Sequence, residues 1–533
     1  MSLAALRTER FSVLCGIVTL WRGVFLLELM VLCAPLFLID YPPLGDLPNH
    51  LARLYILSTH GSDPVLSLMW CADWHIVPDL AIDIIGPPLI NLTSVENACR
   101  LILIAIVTAQ LSGAVLLHRA MFGRRSYWPL SAGLIIYNNI FLLGFLNYLL
   151  GIGLAMIGAS AWISQMSFLR QRRIVVAVIF SLSLFFCHIV AVLFYLLLIG
   201  AWQLAAAVES GFTLAALRRQ LLPLALPVAL PAILFELSRV PNLERGQIGW
   251  STIPHKIFAL LGPFINYSMV IDVLGAAAVI AGLLLFIYFR KLDVPKSTQI
   301  ALAALFAVYV VCPAAILTGN YLDARLPILM GFIVVSGTNL VNLPARNGVM
   351  VGIAAGLVVF VRLGFLSGVW IDARADLEDF RSMEAFIFPG ARILEMTASD
   401  DAASYFRDRH RSREVRHFGA TSQSLVGFWV IERRVFWPLL FADPSQQPIR
   451  VLSPYDRIAV PSKSLTLDYR LLAAPQIPAE ALIEAPYLAS WQSNFDFVVV
   501  VSVLRAEHLD AFDTLPLTLV KKTPIAALYK IRK

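Results

Sequence analysis

The chain alternates long apolar runs with short polar connectors, the pattern of a protein that crosses a membrane many times. Eleven stretches approach the roughly 20 residues that a bilayer core requires: 17–39, 100–118, 127–145, 147–165, 174–187, 188–208, 220–239, 268–289, 299–319, 327–343 and 348–370. Two of the divisions follow from charge. Residues 127–165 form one 39-residue, largely apolar run, too long for a single crossing at ~1.5 Å per residue. Arg119, Arg124 and Arg125 precede it and Arg170, Arg172 and Arg173 follow it. Arginine clusters mark cytoplasmic ends, so the run must turn back, at Gly144-Phe-Leu-Asn147-Tyr148. The same logic splits 174–208 near Cys187-His188, between Arg172/Arg173 and Arg218/Arg219. With the N-terminus inside and the C-terminus outside, basic residues collect on the cytoplasmic side and acidic ones on the other. Arg7, Arg10 and Arg22 flank the start of the first apolar stretch, which lacks a small-x-small site and reads as an uncleaved transmembrane helix.

Two regions project outward. The loop 40–98 is too long for a mere connector, and residues 371–533 have ordinary soluble composition. The expected architecture is a polytopic α-helical membrane domain (1–370) with a functional first exported loop, then an exported soluble α/β domain (371–533). In that domain 402–416 reads as helix, the β-branched run Phe497–Val503 as strand, and 517–531 as a strand pair around Lys521-Lys522-Thr523-Pro524.

Composition agrees. Hydrophobic residues make up 59% and charged residues 14%, with a mean hydropathy of +0.75, against about 25% charge in soluble domains; a soluble enzyme is excluded. The net charge of +7 lies entirely in the first 370 residues, because 371–533 hold 20 basic and 20 acidic groups. The cations fall in short runs between apolar segments and form no basic face, which argues against nucleic acid as a partner. Of the six cysteines, none forms a CxxC pair, so a metal or redox centre has no support; Cys71 and Cys99 share the first exported loop and read as two buried thiols. No P-loop, GxGxxG, HExxH or GxSxG is present.

The chemistry concentrates at the start of the first loop, Asp40-Tyr-Pro-Pro-Leu-Gly-Asp46-Leu-Pro-Asn-His50-Leu-Ala-Arg53. Pro48 suits a first helical turn, and Asp46, His50 and Arg53 then share one face, with Leu47, Leu51, Leu54 and Tyr55 beside it. This reads as an amphipathic helix on the membrane surface, with Asp46 suited both to cap it and to react. A second cluster, Asn320-Tyr-Leu-Asp323-Ala-Arg325-Leu-Pro327, places an arginine at the outer mouth of the bundle. Its planar fork matches phosphate oxygens, although pairing with Asp323 is the duller account. A third, the loop 236–256, offers Arg239, Arg245 and Lys256 among Glu236 and Glu244. His188 and His255 read as lone structural histidines. Glu28 lies inside the first span, where a carboxylate is costly unless it faces the bundle interior.

On these features the chain resembles the GT-C superfamily of integral membrane glycosyltransferases that use lipid-phosphate sugar donors. The resemblance is carried by the Asp-bearing first exported loop (YPPLGDLPNHLAR), the paired short spans, the DARLP arginine at the outer mouth and the soluble C-terminal domain. It implies that Asp46 is the general base, with Asp40 as its alternate. His50, Arg53, Arg245, Asp323 and Arg325 would line the donor site, the arginines holding the departing polyprenyl phosphate while the sugar is transferred with inversion. The donor would be a polyprenyl-phosphate sugar and the acceptor a lipid or cell-envelope glycan hydroxyl at the exported face of a bacterial inner membrane. A divalent metal, if used, would sit on Asp40 and Asp46. The Asp-Glu pair of the protein O-mannosyltransferase and aminoarabinose transferase branches is missing, since Leu47 follows Asp46, so the branch stays open. A flippase or transporter of lipid-linked glycans would place charges at the bilayer midplane, where only Glu28 is found. A polymerase or ligase would carry its key arginines in a large late exported loop. A reporter enzyme fused after Lys533 is expected to be active only when it requires export; activity of a cytoplasm-dependent reporter there would invert the layout.

Overall fold

The computed structural model describes residues 19–165, 169–238, 248–316, 319–398, 424–461, 467–502, 512 and 514–533. Arg239, Glu244, Arg245 and the stretch 402–416 lie outside them. In chain order the principal helices are α1 (Thr19–Phe37), α2 (Leu47–Ser58), α3 (Ala81–Leu92), α4 (Val95–Phe122), α5 (Asn139–Leu143), α6 (Leu146–Ser164), α7 (Arg170–Cys187), α8 (Ile189–Glu209), α9 (Leu214–Leu237), α10 (Ile253–Ala259), α11 (Met269–Tyr288), α12 (Lys296–Val311), α13 (Leu322–Gly337), α14 (Ala345–Arg381) and α15 (Val426–Arg433). The principal strands are β1 (Trp70–Ala72), β2 (Ile393–Thr397), β3 (Ile449–Val451), β4 (Leu467–Asp468), β5 (Phe497–Val501), β6 (Leu517–Lys522) and β7 (Ala526–Ile531); Leu292–Asp293 and Asn339–Leu340 form a further short antiparallel pair.

Among the described residues seven helices, α1, α4, α6, α8, α9, α11 and α14, are long and apolar enough to cross a membrane. Eleven apolar stretches were read from the sequence, and the difference has identifiable causes. Residues 127–145 are not a helix from end to end. Trp128–Leu134 form a tight 3-10 helix, the chain opens at Ile135–Asn138, and only α5 follows. Pro129 opens the 3-10 turns. Asn138 caps α5 through its side-chain oxygen, which accepts from the Phe141 N–H at 3.0 Å. Gly144 ends α5 at φ 86°, a left-handed conformation that glycine adopts without strain. Such irregular backbone is tolerated at membrane depth because protein surrounds it: almost every residue from Leu130 to Leu149 is buried. Helices α12 and α13, at 16 residues each, reach only about 24 Å.

Helix breaks fall at both places where turns were expected from charge. Helix α5 gives way to α6 across Gly144–Phe145, and α7 ends at Cys187 while α8 starts at Ile189, leaving His188 as a single extended residue between them. Helix α6 is the centre of the bundle: 78% of its apolar window is buried, against 11% in α11, whose sides face lipid. Its contact with α4 is backbone-close. A Cβ on Gly153 would stand 2.5 Å from the Ala109 carbonyl carbon and 2.7 Å from the Gln110 nitrogen. Gln110 spans the same crossing, donating to the Leu149 carbonyl at 3.0 Å.

Beyond α14, which runs on past residue 370, a five-stranded mixed sheet has the order β4-β2-β5-β7-β6. Strand β5 is Phe-Val-Val-Val-Val and wholly buried, as a strand covered on both faces must be. It pairs in parallel with β2 and antiparallel with β7 (Val499 opposite Leu528). Strands β6 and β7 form the expected terminal hairpin. The C-terminal region also reaches back to the first loop: β1 pairs with β3 (Trp70 opposite Val451), and Arg434 bonds Asp63 at 3.0 Å and the Tyr55 hydroxyl at 2.9 Å.

Helix α2 therefore does not lie on the membrane surface with a solvated polar face. It is sandwiched between α3 and α15, with Leu47, Asn49, Leu51, Arg53 and Leu54 all buried. Asn49 donates to the Leu439 carbonyl at 3.0 Å and accepts from the Phe441 N–H at 2.6 Å. The covering layer comes from residues nearly 400 positions away, which no local pattern reveals. Cys71 and Cys99 are both free thiols, Cys99 buried and Cys71 partly so.

Gly153→Ala is expected to force α4 and α6 apart and lower stability by about 1–3 kcal/mol, read as a drop in Tm of the detergent-solubilised protein. Gly282→Ala, with nothing within 4 Å of the added carbon, is the matched control and should leave Tm unchanged or raise it.

Candidate active site

Asp46 is the N-cap of α2, yet its side chain accepts no capping bond. The helix is held there by backbone instead: the His50 N–H donates to the Asp46 carbonyl at 3.0 Å, and the Asp46 N–H donates to the Leu143 carbonyl at 2.8 Å. The carboxylate is half-buried, and among the described residues it has neither a hydrogen-bond partner nor an ion pair within 4 Å. Burial pushes it up to about 7, against the opposing pull of Arg325 and Arg53.

The face Asp46-His50-Arg53 forms as spaced, but its members differ in role. Arg53 is buried and forks onto Asp83 of α3, with Nε to Oδ1 at 2.6 Å and Nη2 to Oδ2 at 3.1 Å. The same Nη2 lies 3.2 Å from His50 Nδ1. Burial and the adjacent guanidinium hold His50 well below the usual histidine range, so the ring is neutral and Nδ1 accepts from Arg53. Arg53 thus ties α2 to α3 and orients His50.

The loop between β1 and α3 supplies Asp79, held at φ 70°. Asn147, at the start of α6, fixes this segment by accepting the Ile82 N–H at 2.9 Å and donating to the Asp79 carbonyl. Burial raises the Asp79 carboxyl to about 7, with Arg325 opposing the rise.

Arg325 comes from the first turns of α13 and is buried. Its guanidinium lies 4.7 Å from the Phe145 ring and 5.5 Å from the Tyr148 ring. Nη2 donates to the Asn320 carbonyl at 3.0 Å, and Nη1 is 2.6 Å from His188 Nε2. Tyr148 in turn donates to the Arg325 carbonyl at 2.8 Å. Both turns read from the arginine clusters therefore converge on this one side chain: Phe145 and Tyr148 from the first, His188 from the second. The pairing with Asp323 is not made; Asp323 is buried, with one oxygen unpartnered.

His188 Nδ1 accepts the Val190 N–H at 2.9 Å. Its Nε2 lies 2.6 Å from Arg325 Nη1 and 3.9 Å from the Asp79 carboxylate. The Arg325 Nε is buried among the described residues without a partner, a donor that an anion's oxygen completes.

The other residues expected at the site lie elsewhere. Asp40 has a side chain 65% exposed and sits 3.9 Å from Arg100, apart from the Asp46 cluster. Lys256 is occupied, donating to the Tyr309 and Cys312 carbonyls at the end of α12. Arg245 is outside the described residues. No group of three or more His, Cys, Asp or Glu side chains among the described residues is arranged to hold a metal ion, and Asp40 and Asp46 face different surroundings. Asp79, Asp83 and Asn147 were not singled out from sequence, and His188 was read as structural. The one available signal for Asp83 was a carboxylate set in an otherwise apolar 12-residue stretch.

No protein-family model matches the chain, and no curated protein is significantly similar to it in sequence. Solved structures are similar in fold. ArnT from Cupriavidus metallidurans bound to undecaprenyl phosphate superposes with a TM-score of 0.51 at 11% identity, covering 96% of this chain and 98% of that one. The same protein in its apo state gives 0.50 at 9% identity, covering 97% and 98%. The chain shares the overall fold of these ArnT structures over nearly its whole length. In this fold Asp46 and Arg325, 279 positions apart in the chain, come near enough for the guanidinium to oppose the rise of the Asp46 carboxyl.

Asp83→Asn is expected to leave Arg53 as an unpaired buried charge and cost about 3–5 kcal/mol, read as a fall in Tm. The double variant Arg53→Met/Asp83→Leu, which removes both charges, should recover most of that loss. Equal Tm for the single variant and the wild type would show the pair to be dispensable.

Proposed function

We propose that this protein is a membrane glycosyltransferase that moves a sugar from a polyprenyl-phosphate donor to an acceptor hydroxyl at the exported face of a bacterial inner membrane. The observation that carries the reading is the partnerless Asp46 carboxylate under the pull of a buried Arg325 guanidinium whose Nε has no partner among the described residues, within a fold shared with a protein that binds undecaprenyl phosphate. Asp46 takes the proton of the acceptor hydroxyl as its oxygen attacks the anomeric carbon. The bond from that carbon to the phosphate oxygen breaks, and the polyprenyl phosphate leaves with the electron pair. Its growing negative charge is met by the Arg325 guanidinium, which the contact with His188 holds in place, a preorganised donor of the kind that stabilises a departing anion. Attack opposite the leaving phosphate inverts the sugar. His50, neutral and half-buried, faces the same space and suits a sugar hydroxyl; Arg53 is a positioning residue. Asp40, Asp323 and Arg245 have no assigned step.

A base is active only when deprotonated. With Asp46 at about 7, kcat/KM should rise with pH through 7 and level off above it. Asp46→Asn should lower kcat by about 10²–10⁴-fold and abolish that limb. In cells, deletion and Asp46→Asn should both remove one surface sugar modification and accumulate a polyprenyl-phosphate sugar, measured by lipid and glycan mass spectrometry. A wild-type glycan profile in Asp46→Asn would place the base elsewhere.

A further inference from the structure

A second polar constellation lies at the other end of α4. Between α1 and the C-terminal turns of α4 the structure has a cavity of about 220 Å³, lined by Arg119, Arg124 and Arg125 together with Trp21, Phe25 and Leu116. Among the described residues no acidic side chain lines it. Among the described residues Arg119 and Arg124 make no side-chain hydrogen bond or ion pair, while the Arg125 guanidinium lies 5.8 Å from the Trp21 ring. The Trp21 indole N–H donates to the Ser126 carbonyl at 3.0 Å, fixing α1 against this rim. His118 lines the same cavity and is fully buried. Three guanidinium groups around one small cavity repel one another unless an anion sits among them.

We propose that this cavity binds the phosphate headgroup of an anionic phospholipid of the surrounding bilayer. The volume is that of roughly seven water molecules at ~30 Å³ each, enough for a phosphate with a small substituent. Its apolar side continues into Leu116, 39% exposed on the lipid-facing surface of α4, which suits an acyl chain and gives a free anion nothing. Basic pockets at helix ends recognise anionic lipids by this combination of charge and apolar wall. Attraction of the helix C-terminus for a cation explains Arg119 but not the cavity or its two further arginines. Arg119 is 19 residues along α4 from Arg100, about 28 Å at ~1.5 Å per residue. No residue of the Asp46 cluster lines the cavity, and the lipid site is independent of the transferase reading.

The test uses the full-length protein in detergent, with native mass spectrometry and thermal shift against dioleoyl-phosphatidylglycerol, dioleoyl-phosphatidylcholine and inorganic phosphate. Wild type should retain phosphatidylglycerol at least tenfold more strongly than phosphatidylcholine and gain Tm only with the former. Arg119→Gln and Arg124→Gln, which break no contact in the structure, should each weaken retention several-fold, and the triple variant including Arg125→Gln should abolish the preference. Arg218→Gln/Arg219→Gln, a basic pair outside the cavity, should leave it intact. Equal loss in that pair would reduce the effect to general surface charge and overturn the proposal. So would retention unchanged in the triple variant, or a Tm gain from inorganic phosphate that equals the lipid's.

Discussion

The buried fork between Arg53 and Asp83 is the constraint on which the site depends. Two ionised groups removed from water are tolerated only when each satisfies the other with good geometry, and here two bonds of 2.6 and 3.1 Å do so. The pair sets the height of α2 against α3. That height decides where Asp46, at one end of α2, and Asp79, just before α3, stand relative to the bundle. The remaining bond from Arg53 orients His50 and keeps it neutral. Arg53, whose charge suggested phosphate binding, thereby commits Nε and Nη2 to architecture, while its Nη1 stays buried without a partner among the described residues.

Arg325 is positioned by a different principle. Its guanidinium is buried among two aromatic rings, a carbonyl and a histidine, with no carboxylate close enough to pair. A buried cation without a counter-ion is costly, and the cost is lowered by cation–π contact and by any anion that occupies the open space. His188 is itself held by the Val190 N–H, which donates to its Nδ1. On the opposite side, Asp46 stays free because backbone contacts hold the start of α2 in place of a side-chain cap.

Legibility followed the range of the forces involved. The turns at Gly144–Tyr148 and Cys187–His188 were readable because arginine clusters constrain both ends of an apolar run. The helix face Asp46-His50-Arg53 was readable because its spacing is local. The terminal strand pair and the Val-rich central strand were equally plain. By contrast, the broken backbone at 128–143 looked like one more span, since irregular structure buried in protein has the same apolar composition as a helix in lipid. Helix α2 looked like a surface helix, since the segment that covers its Asn49 face comes from residues 424–443.

Membrane residence, the positions of most helices, the long first loop and the chemical character of its first residues are determined by the sequence alone, because hydropathy, charge and helical spacing act over one to twenty neighbouring positions. The partners of each ionisable group were decided only by the tertiary structure. Whether Arg53 or Arg325 is free, whether His188 donates or accepts, and whether Asp46 caps a helix or stands open depend on which distant segments fill the space beside them. Electrostatics at a buried site is set by distance in space, and 279 residues separate Asp46 from Arg325 along the chain.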